Sequence, residues 1–274
     1  MSLRPKDKLK VGIAGLGAIG MPVARWLDEG VEGMTLSGIS AGNRERAAER
    51  VADFRSPPPV LGLDELVAAS DVIVECLPPK LFMELARPAV EQSKTLIVLT
   101  LTSLLANYDL VDRASETGAQ LIAATGALLG FDAVRAAAKG EVYSVVMKTR
   151  KPPAGLKSAP FVIEQGYDMD NLKEPVCLYS GSVRDAAAKF PANVNVAVAL
   201  ALAGIGPDRT EYEIWADPAV VRNTHHVAVD ASSTRFEMSI AGVPTPENPA
   251  TGKLTPLSVM ATLERLVAPF TVGT

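Results

Sequence analysis

Histidine and cysteine are nearly missing from this chain, at two residues each in 274, and aromatic side chains make up only 5% of it. Two cysteines, Cys76 and Cys177, are too few for a disulfide framework and lack the spacing of a metal site. They point instead to a reducing, cytoplasmic setting with both thiols in the core, and to no bound metal. A basic excess is also lacking: 27 Lys and Arg against 31 Asp and Glu leave a net charge of −4, with the signs interspersed. That excludes the electrostatic footprint of a nucleic-acid partner. No apolar run reaches the roughly 18 residues a membrane span requires, so no membrane partner is expected. Internal repeats and low-complexity tracts are absent as well. The basic start MSLRPKDKLK followed by VGIAGLGAIGMPVA has the outline of a secretory leader, but the glycine spacing within it offers a better account.

What is present is the composition of an ordinary globular enzyme, 48% hydrophobic and 21% charged. The length exceeds what one core usually organises, so two domains are expected. The chain is organised around KVGIAGLGAIG, a short β-branched run ending in Gly15-x-Gly17-x-x-Gly20 and leading into a helical pattern. In a dinucleotide-binding βαβ unit the first glycine makes the tight turn. The second lets backbone approach the pyrophosphate, and the third lets helix and strand pack closely. Gly15, Gly17, Ala18, Ile19 and Gly20 are therefore the candidate phosphate cradle, with the helix N-terminus supplying the attraction.

The first half alternates apolar runs and helical patterns, as a parallel sheet covered by helices does. Strands are expected at Val11 to Ala14, Met34 to Ser40, Asp71 to Cys76, Thr95 to Leu99 and Gln120 to Ala123. Helices are expected up to Asp28, over Arg44 to Asp53, over Lys80 to Gln92 and over Tyr108 to Thr117. Pro57, Pro58 and Pro59 force an extended connection. This is an α/β reading: an N-terminal Rossmann-type doubly wound parallel sheet over 1–124. After Thr125 the pattern becomes α+β, with a mixed or antiparallel sheet over 125–243. Its strands are read at Glu141 to Thr149, Val176 to Tyr179, Glu211 to Trp215, His225 to Val229 and Arg235 to Ile240. Its helices are Val183 to Lys189 and Asn193 to Ala203, the latter capped by Asn193. A Pro-rich loop, Pro244 to Pro249, precedes a helix over Leu257 to Val267 whose apolar face is Leu257, Met260, Leu263 and Leu266. The 244–274 segment is expected to join the first domain.

The only histidines, His225 and His226, are neighbours on an expected strand and so point to opposite faces. At most one serves as general acid or base, and periodicity alone does not exclude a purely structural role for both. The end of the second strand, Ile39-Ser40-Ala41-Gly42-Asn43-Arg44, has no carboxylate to hold the ribose hydroxyls of NAD. Asn43 and Arg44, with Arg46 nearby, would suit a 2′-phosphate, which favours NADP or use of both cofactors. The alternative is that both arginines are simply solvated.

GLGAIG, FPANVNVAVALALAGIG, ADPAVVRNTHH and ENPATGKLTPLSV, in this order and spacing, resemble the L-aspartate dehydrogenase family over nearly the whole chain. The resemblance implies NAD(P)-dependent oxidation of L-aspartate to iminoaspartate, which hydrolyses to oxaloacetate and ammonia or feeds NAD biosynthesis, or the reverse amination. It implies His225 as the catalytic residue, Ala127 and Asn195 as contacts of the nicotinamide, with Asn193 the competitor, and a homodimer joined through the second-domain sheet. Lys148, Arg150, Lys151 and Lys253 are the candidates to hold substrate carboxylates. The chain departs from the family pattern at Asn248-Pro249-Ala250-Thr251-Gly252 and at Leu77-Pro78-Pro79-Lys80, which keeps open another small amino acid or dicarboxylate as substrate. A non-catalytic NADP(H)-binding sensor is the remaining alternative.

Overall fold

The computed structural model describes residues 8–248 and 251–273. Pro249 and Ala250, one of the departures noted above, lie outside the described residues, as do the first seven residues of the leader-like start. Two compact units divide the chain: one runs through Ala124 and takes in Thr255–Thr271, the other spans Thr125–Leu254 and the last residues, Val272 onward.

In the first unit, β1 (Leu9–Ala14), α1 (Gly20–Gly30), β2 (Met34–Ser40), α2 (Arg44–Val51), α3 (Leu63–Ala69) and β3 (Val72–Glu75) are followed by α4 (Phe82–Glu91), β4 (Thr95–Val98), α5 (Leu101–Ala106), α6 (Asp109–Thr117) and β5 (Gln120–Ala123). The five strands are all parallel, in the order β2-β1-β3-β4-β5. This is the Rossmann-like sheet the alternation of runs implied. Val11 to Ala14 of β1, all of β3 and Leu96 to Val98 of β4 are buried, which is why those strands read as continuous apolar runs. On α1, Gly20, Val23, Ala24 and Leu27 recur at helical spacing and are all buried. Side chains such as Val23 and Leu27 each contribute about 1.5–3 kcal/mol by leaving water. At the end of the proline run the Pro59 carbonyl accepts from the Ile39 amide at 3.0 Å, and Val60 bridges in parallel to Ile39 of β2.

The second unit contains α7 (Phe131–Ala137), β6 (Val142–Lys151), α8 (Pro160–Glu164), β7 (Val176–Ser182), α9 (Val183–Lys189), α10 (Asn195–Ala203), β8 (Glu211–Ala216), β9 (Thr224–Ala231) and β10 (Arg235–Ala241). Its sheet is mixed, in the order β10-β9-β6-β8-β7, with β6 and β8 parallel and the other neighbours antiparallel. Ala and Val give α10 a surface that is apolar nearly all round. Five of its residues, Ala197 to Ala201, are buried. At its end a Cβ on Gly204 would stand 3.2 Å from Val134 of α7 and 3.8 Å from Val145 of β6, so the three elements meet closely there.

Several expectations are corrected. The helix α11 (Leu254–Val267) begins three residues early, and its packing phase is set by Val259 and Leu263, both fully buried, with Met260 and Leu266 beside them. Leu257 is 55% exposed and does not belong to that face. Asn193 does not cap α10: the helix starts at Asn195 and Val194 takes the cap position without a side-chain bond. Of the two cysteines, Cys76 packs against the first core as expected, with burial raising its thiol pKa, whereas Cys177 lies nearer the surface and its thiol donates to the Tyr179 carbonyl at 3.3 Å. Strand β6 runs through Lys151 rather than ending at Thr149, with consequences for the site.

Candidate active site

The three glycines of the first loop have distinct steric reasons to be glycine. Gly15 holds φ +99°, and a Cβ there would stand 2.4 Å from the Cys76 carbonyl oxygen. A Cβ on Gly20 would be driven to 1.8 Å from the Gly15 carbonyl oxygen, so the loop and the first turn of α1 touch backbone to backbone. Gly17, exposed at the crest, is different: a Cβ there would meet nothing within 4 Å. Its lack of a side chain is not required by the protein's own packing, and it leaves bare backbone facing outward. Ala18 and Ile19 are half-buried, and Ile19 occupies the N-cap position of α1 with no side-chain cap and no acidic residue in the first turn. The helix dipole therefore meets no carboxylate of its own there, as an anion cradle requires. Arg50 of α2 donates to the Leu16 carbonyl at 2.5 Å and ties the crest of the loop to the next helix.

Beyond β2, the Asn43 side chain accepts from the Arg46 amide at 2.9 Å and caps α2. Arg44 is exposed and lies 3.6 Å from Glu65, a loose surface pair. At the end of β3 the structure adds a residue the sequence reading passed over. Glu75 is fully buried, and its carboxylate accepts from the amides of Leu77 (2.8 Å), Leu99 (3.1 Å) and Thr100 (2.9 Å) and from the Thr100 hydroxyl (2.8 Å). Burial raises its pKa, and those four bonds act against the rise. The carboxylate thus fastens the segments leaving β3 and β4 to each other. A charge closing the apolar run DVIVE was the available signal.

In the second unit, alternation along β6 and β9 sorts the polar residues. His225 is 6% exposed on the covered face of the sheet, whereas His226 points to the other face, 3.7 Å from Glu237. The His225 Nδ1 lies 3.0 Å from Thr149 Oγ1, its register partner on β6. Thr149 is in turn hydrogen-bonded to Tyr212, fully buried on β8, whose phenol is held well above its usual pKa by burial. Burial, with the positive charge of Lys151 nearby, pushes the imidazole down to about 4. It is therefore neutral at pH 7. A hydroxyl partner, unlike a carboxylate, both donates and accepts, so it tolerates the proton on either ring nitrogen.

Lys151 is two residues beyond Thr149 on the same face and is 7% exposed. Its ammonium donates to the Asn193 carbonyl at 3.0 Å and reaches Asn193 Oδ1 at 3.5 Å. Burial alone pushes it down to about 8. The other basic candidates lie elsewhere: Lys148 pairs with Glu213 at 3.1 Å and Arg150 with Asp217 at 2.8 Å, both half-exposed on the opposite face, and Lys253 is exposed in a loop. Ala127 is half-buried in the turn closed by Leu128 N to Thr125 O at 3.2 Å. A Cβ on its neighbour Gly126 would stand 3.9 Å from Val196, so this turn lies beside the first turn of α10 and Asn195. Charge and hydrogen bonds thus link His225, Lys151 and Asn193, while Ala127 and Asn195 are chain neighbours of Gly126 and Val196, which approach each other in the same unit. Among the described residues, no three His, Cys, Asp or Glu are grouped to hold a metal, and no helix is long and apolar enough to cross a membrane.

Comparison with known proteins agrees with this layout. Residues 15–124 match the family model for the homoserine dehydrogenase NAD binding domain, and residues 132–266 that for the aspartate dehydrogenase C-terminal domain. The chain is 49% identical to the L-aspartate dehydrogenase of Bradyrhizobium diazoefficiens, over 98% of its own length and 95% of that protein's. It is 47% identical to L-aspartate dehydrogenase 3 of Bordetella bronchiseptica, over 98% and 99% respectively. The crystal structure of aspartate dehydrogenase from Thermotoga maritima has the same fold, with a TM-score of 0.72 at 24% identity, covering 97% of this chain and 99% of that one. A nicotinamide-dinucleotide oxidoreductase is what the glycine loop, the buried histidine and these relatives have in common, and the chain belongs to the L-aspartate dehydrogenase family.

Proposed function

We propose that this protein oxidises L-aspartate at Cα to iminoaspartate, which water converts to oxaloacetate and ammonia, and that it catalyses the reverse amination when product is in excess. The observation that carries this reading is His225, buried, neutral at pH 7 and oriented by Thr149, in a chain of this family. A neutral imidazole is ready to take a proton from the substrate amine or from the water that attacks the imine. The dinucleotide, when bound, supplies the hydride acceptor. Gly15, Gly17, Ala18, Ile19 and Gly20 would cradle its pyrophosphate, and Ala127 and Asn195 would position its carboxamide, to which an asparagine offers both a donor and an acceptor.

NADP, or use of both cofactors, is the preference we assign. Arg44 is held only by a loose exposed pair with Glu65, and Asn43 stands beside it, so a 2′-phosphate that takes the place of the Glu65 carboxylate on the guanidinium would find its donor there. The unpaired thiols support a cytoplasmic location. A homodimer joined through the second-domain sheet follows the family resemblance and is read by light scattering. The test of the reaction is absorbance at the reduced-nicotinamide band with L-aspartate and either NAD or NADP, beside a panel of other amino acids and hydroxy acids. Reduction that depends on aspartate is expected. Activity confined to another compound would replace aspartate with that compound, a reading favoured by the exposed Pro78-Pro79-Lys80 stretch, which departs from the family pattern.

A further inference from the structure

Lys151 is a buried ammonium whose partners are the carbonyl and side-chain oxygens of Asn193, and among the described residues no carboxylate lies within ion-pair distance of it. Such a group is expensive in a folded protein, because an amide oxygen replaces only part of the hydration the charge has lost. Every other cation considered for the substrate is accounted for: Lys148 and Arg150 have carboxylate partners on the opposite face, and Lys253 is exposed. The strand gives Lys151 the same face as Thr149, and Thr149 holds His225.

We infer that Lys151 is the anchor for a carboxylate of the substrate, completing in the bound state the ion pair that the protein itself leaves incomplete beside His225. The inference rests on the dehydrogenase reading above and narrows its substrates to those carrying a carboxylate within reach of the base. It also links binding to chemistry. The charge of Lys151 is one of the two causes that depress the imidazole, and a carboxylate seated on Lys151 cancels that charge. The imidazole then becomes a stronger base only when substrate is present.

The experiment uses the protein loaded with reduced nicotinamide dinucleotide and succinate, a dicarboxylate with no amine to oxidise. Succinate is expected to raise the melting temperature of the wild type. Lys151→Met is expected to melt higher than wild type without ligand at pH 7, to lose the response to succinate, and to keep its affinity for the dinucleotide. Its KM for the amino acid substrate rises roughly thirty-fold or more. Titration calorimetry in two buffers at pH 8 provides a readout that needs no loss of the side chain. The titratable groups facing Lys151 are His225 from β9 and, through Thr149, Tyr212 from β8. Succinate binding is expected to draw about half a proton onto Lys151, and Lys151→Arg to bind succinate without that uptake. An unchanged succinate response in Lys151→Met, or no response and no proton uptake in the wild type, overturns the assignment. Succinate binding that depends on Lys151 together with no oxidation of aspartate would instead overturn the proposed reaction and leave the anchor standing.

Discussion

Thr149 and His225 occupy directly paired positions on β6 and β9, with hydroxyl and ring nitrogen 3.0 Å apart in a buried setting. The pair fixes which edge of the imidazole faces away from the strand. Thr149→Val should lower kcat by roughly tenfold to a hundredfold through loss of that orientation, with dinucleotide affinity unchanged. Thr149→Ser should recover most of the rate, because it restores the hydroxyl. Steady-state kinetics on the two variants decides between orientation and simple packing.

His225→Asn should reduce turnover by roughly 10²-fold or more while dinucleotide binding stays near wild type. The same residue sets a pH dependence of stability. Its folded pKa, about 4, lies below the unfolded value of 6.5, so on acidification the unfolded chain takes up the proton first. The His225 contribution is therefore constant above about pH 6.5 and is lost as pH drops toward 4, by an amount approaching about 3 kcal/mol. Urea denaturation across that window should show a shallower acid slope in His225→Asn than in wild type.

The glycine loop separates folding from binding. Gly20→Ala places a methyl against the Gly15 carbonyl, where 1.8 Å is available, and should destabilise the first unit by about 3 kcal/mol or more. Gly17→Ala has open space for its methyl and should change stability by less than about 0.5 kcal/mol while weakening the dinucleotide. Equal loss of stability in both variants would remove the phosphate-cradle role from Gly17. Fluorescence titration with reduced dinucleotide and thermal melts read the two effects apart.

Glu75→Gln keeps the volume and turns one acceptor oxygen into an NH2 group facing amide or hydroxyl donors. It should lower stability by about 2 kcal/mol, measured by urea denaturation, because a buried N–H is left without a partner.

Arg44→Ser should weaken NADP by roughly tenfold and leave NAD binding unaltered, if the arginine meets the 2′-phosphate. Equal binding of NADP to both proteins would assign Arg44 to its exposed pair with Glu65 alone.

The parallel sheet of the first unit was legible because β1, β3 and β4 are buried on both faces and read as short β-branched runs between helical patterns. The helices Leu63–Ala69, Leu101–Ala106 and Phe131–Ala137 escaped notice, each being seven residues or fewer, too short for a clear period. That His225 and His226 would face opposite ways follows from strand geometry, but which one faces inward does not. The bond that orients His225 joins residues 76 apart in sequence, and its register is set by the whole sheet. Lys151 was one of four basic candidates and nothing nearby in sequence singled it out, because the polar run KTRK reads as the end of a strand. In the fold it is the last stretch of β6, paired to β8 and β9.

That stretch works as a two-letter alphabet: Lys148 and Arg150 are addressed to one side, Thr149 and Lys151 to the other. Single-residue insertion or deletion within β6 would therefore not merely loosen the site but exchange its contents, delivering two long cations under the helices and exporting the hydroxyl and ammonium to the opposite surface. Changes in substrate choice along this strand are open to substitutions at alternate positions and closed to changes in its length.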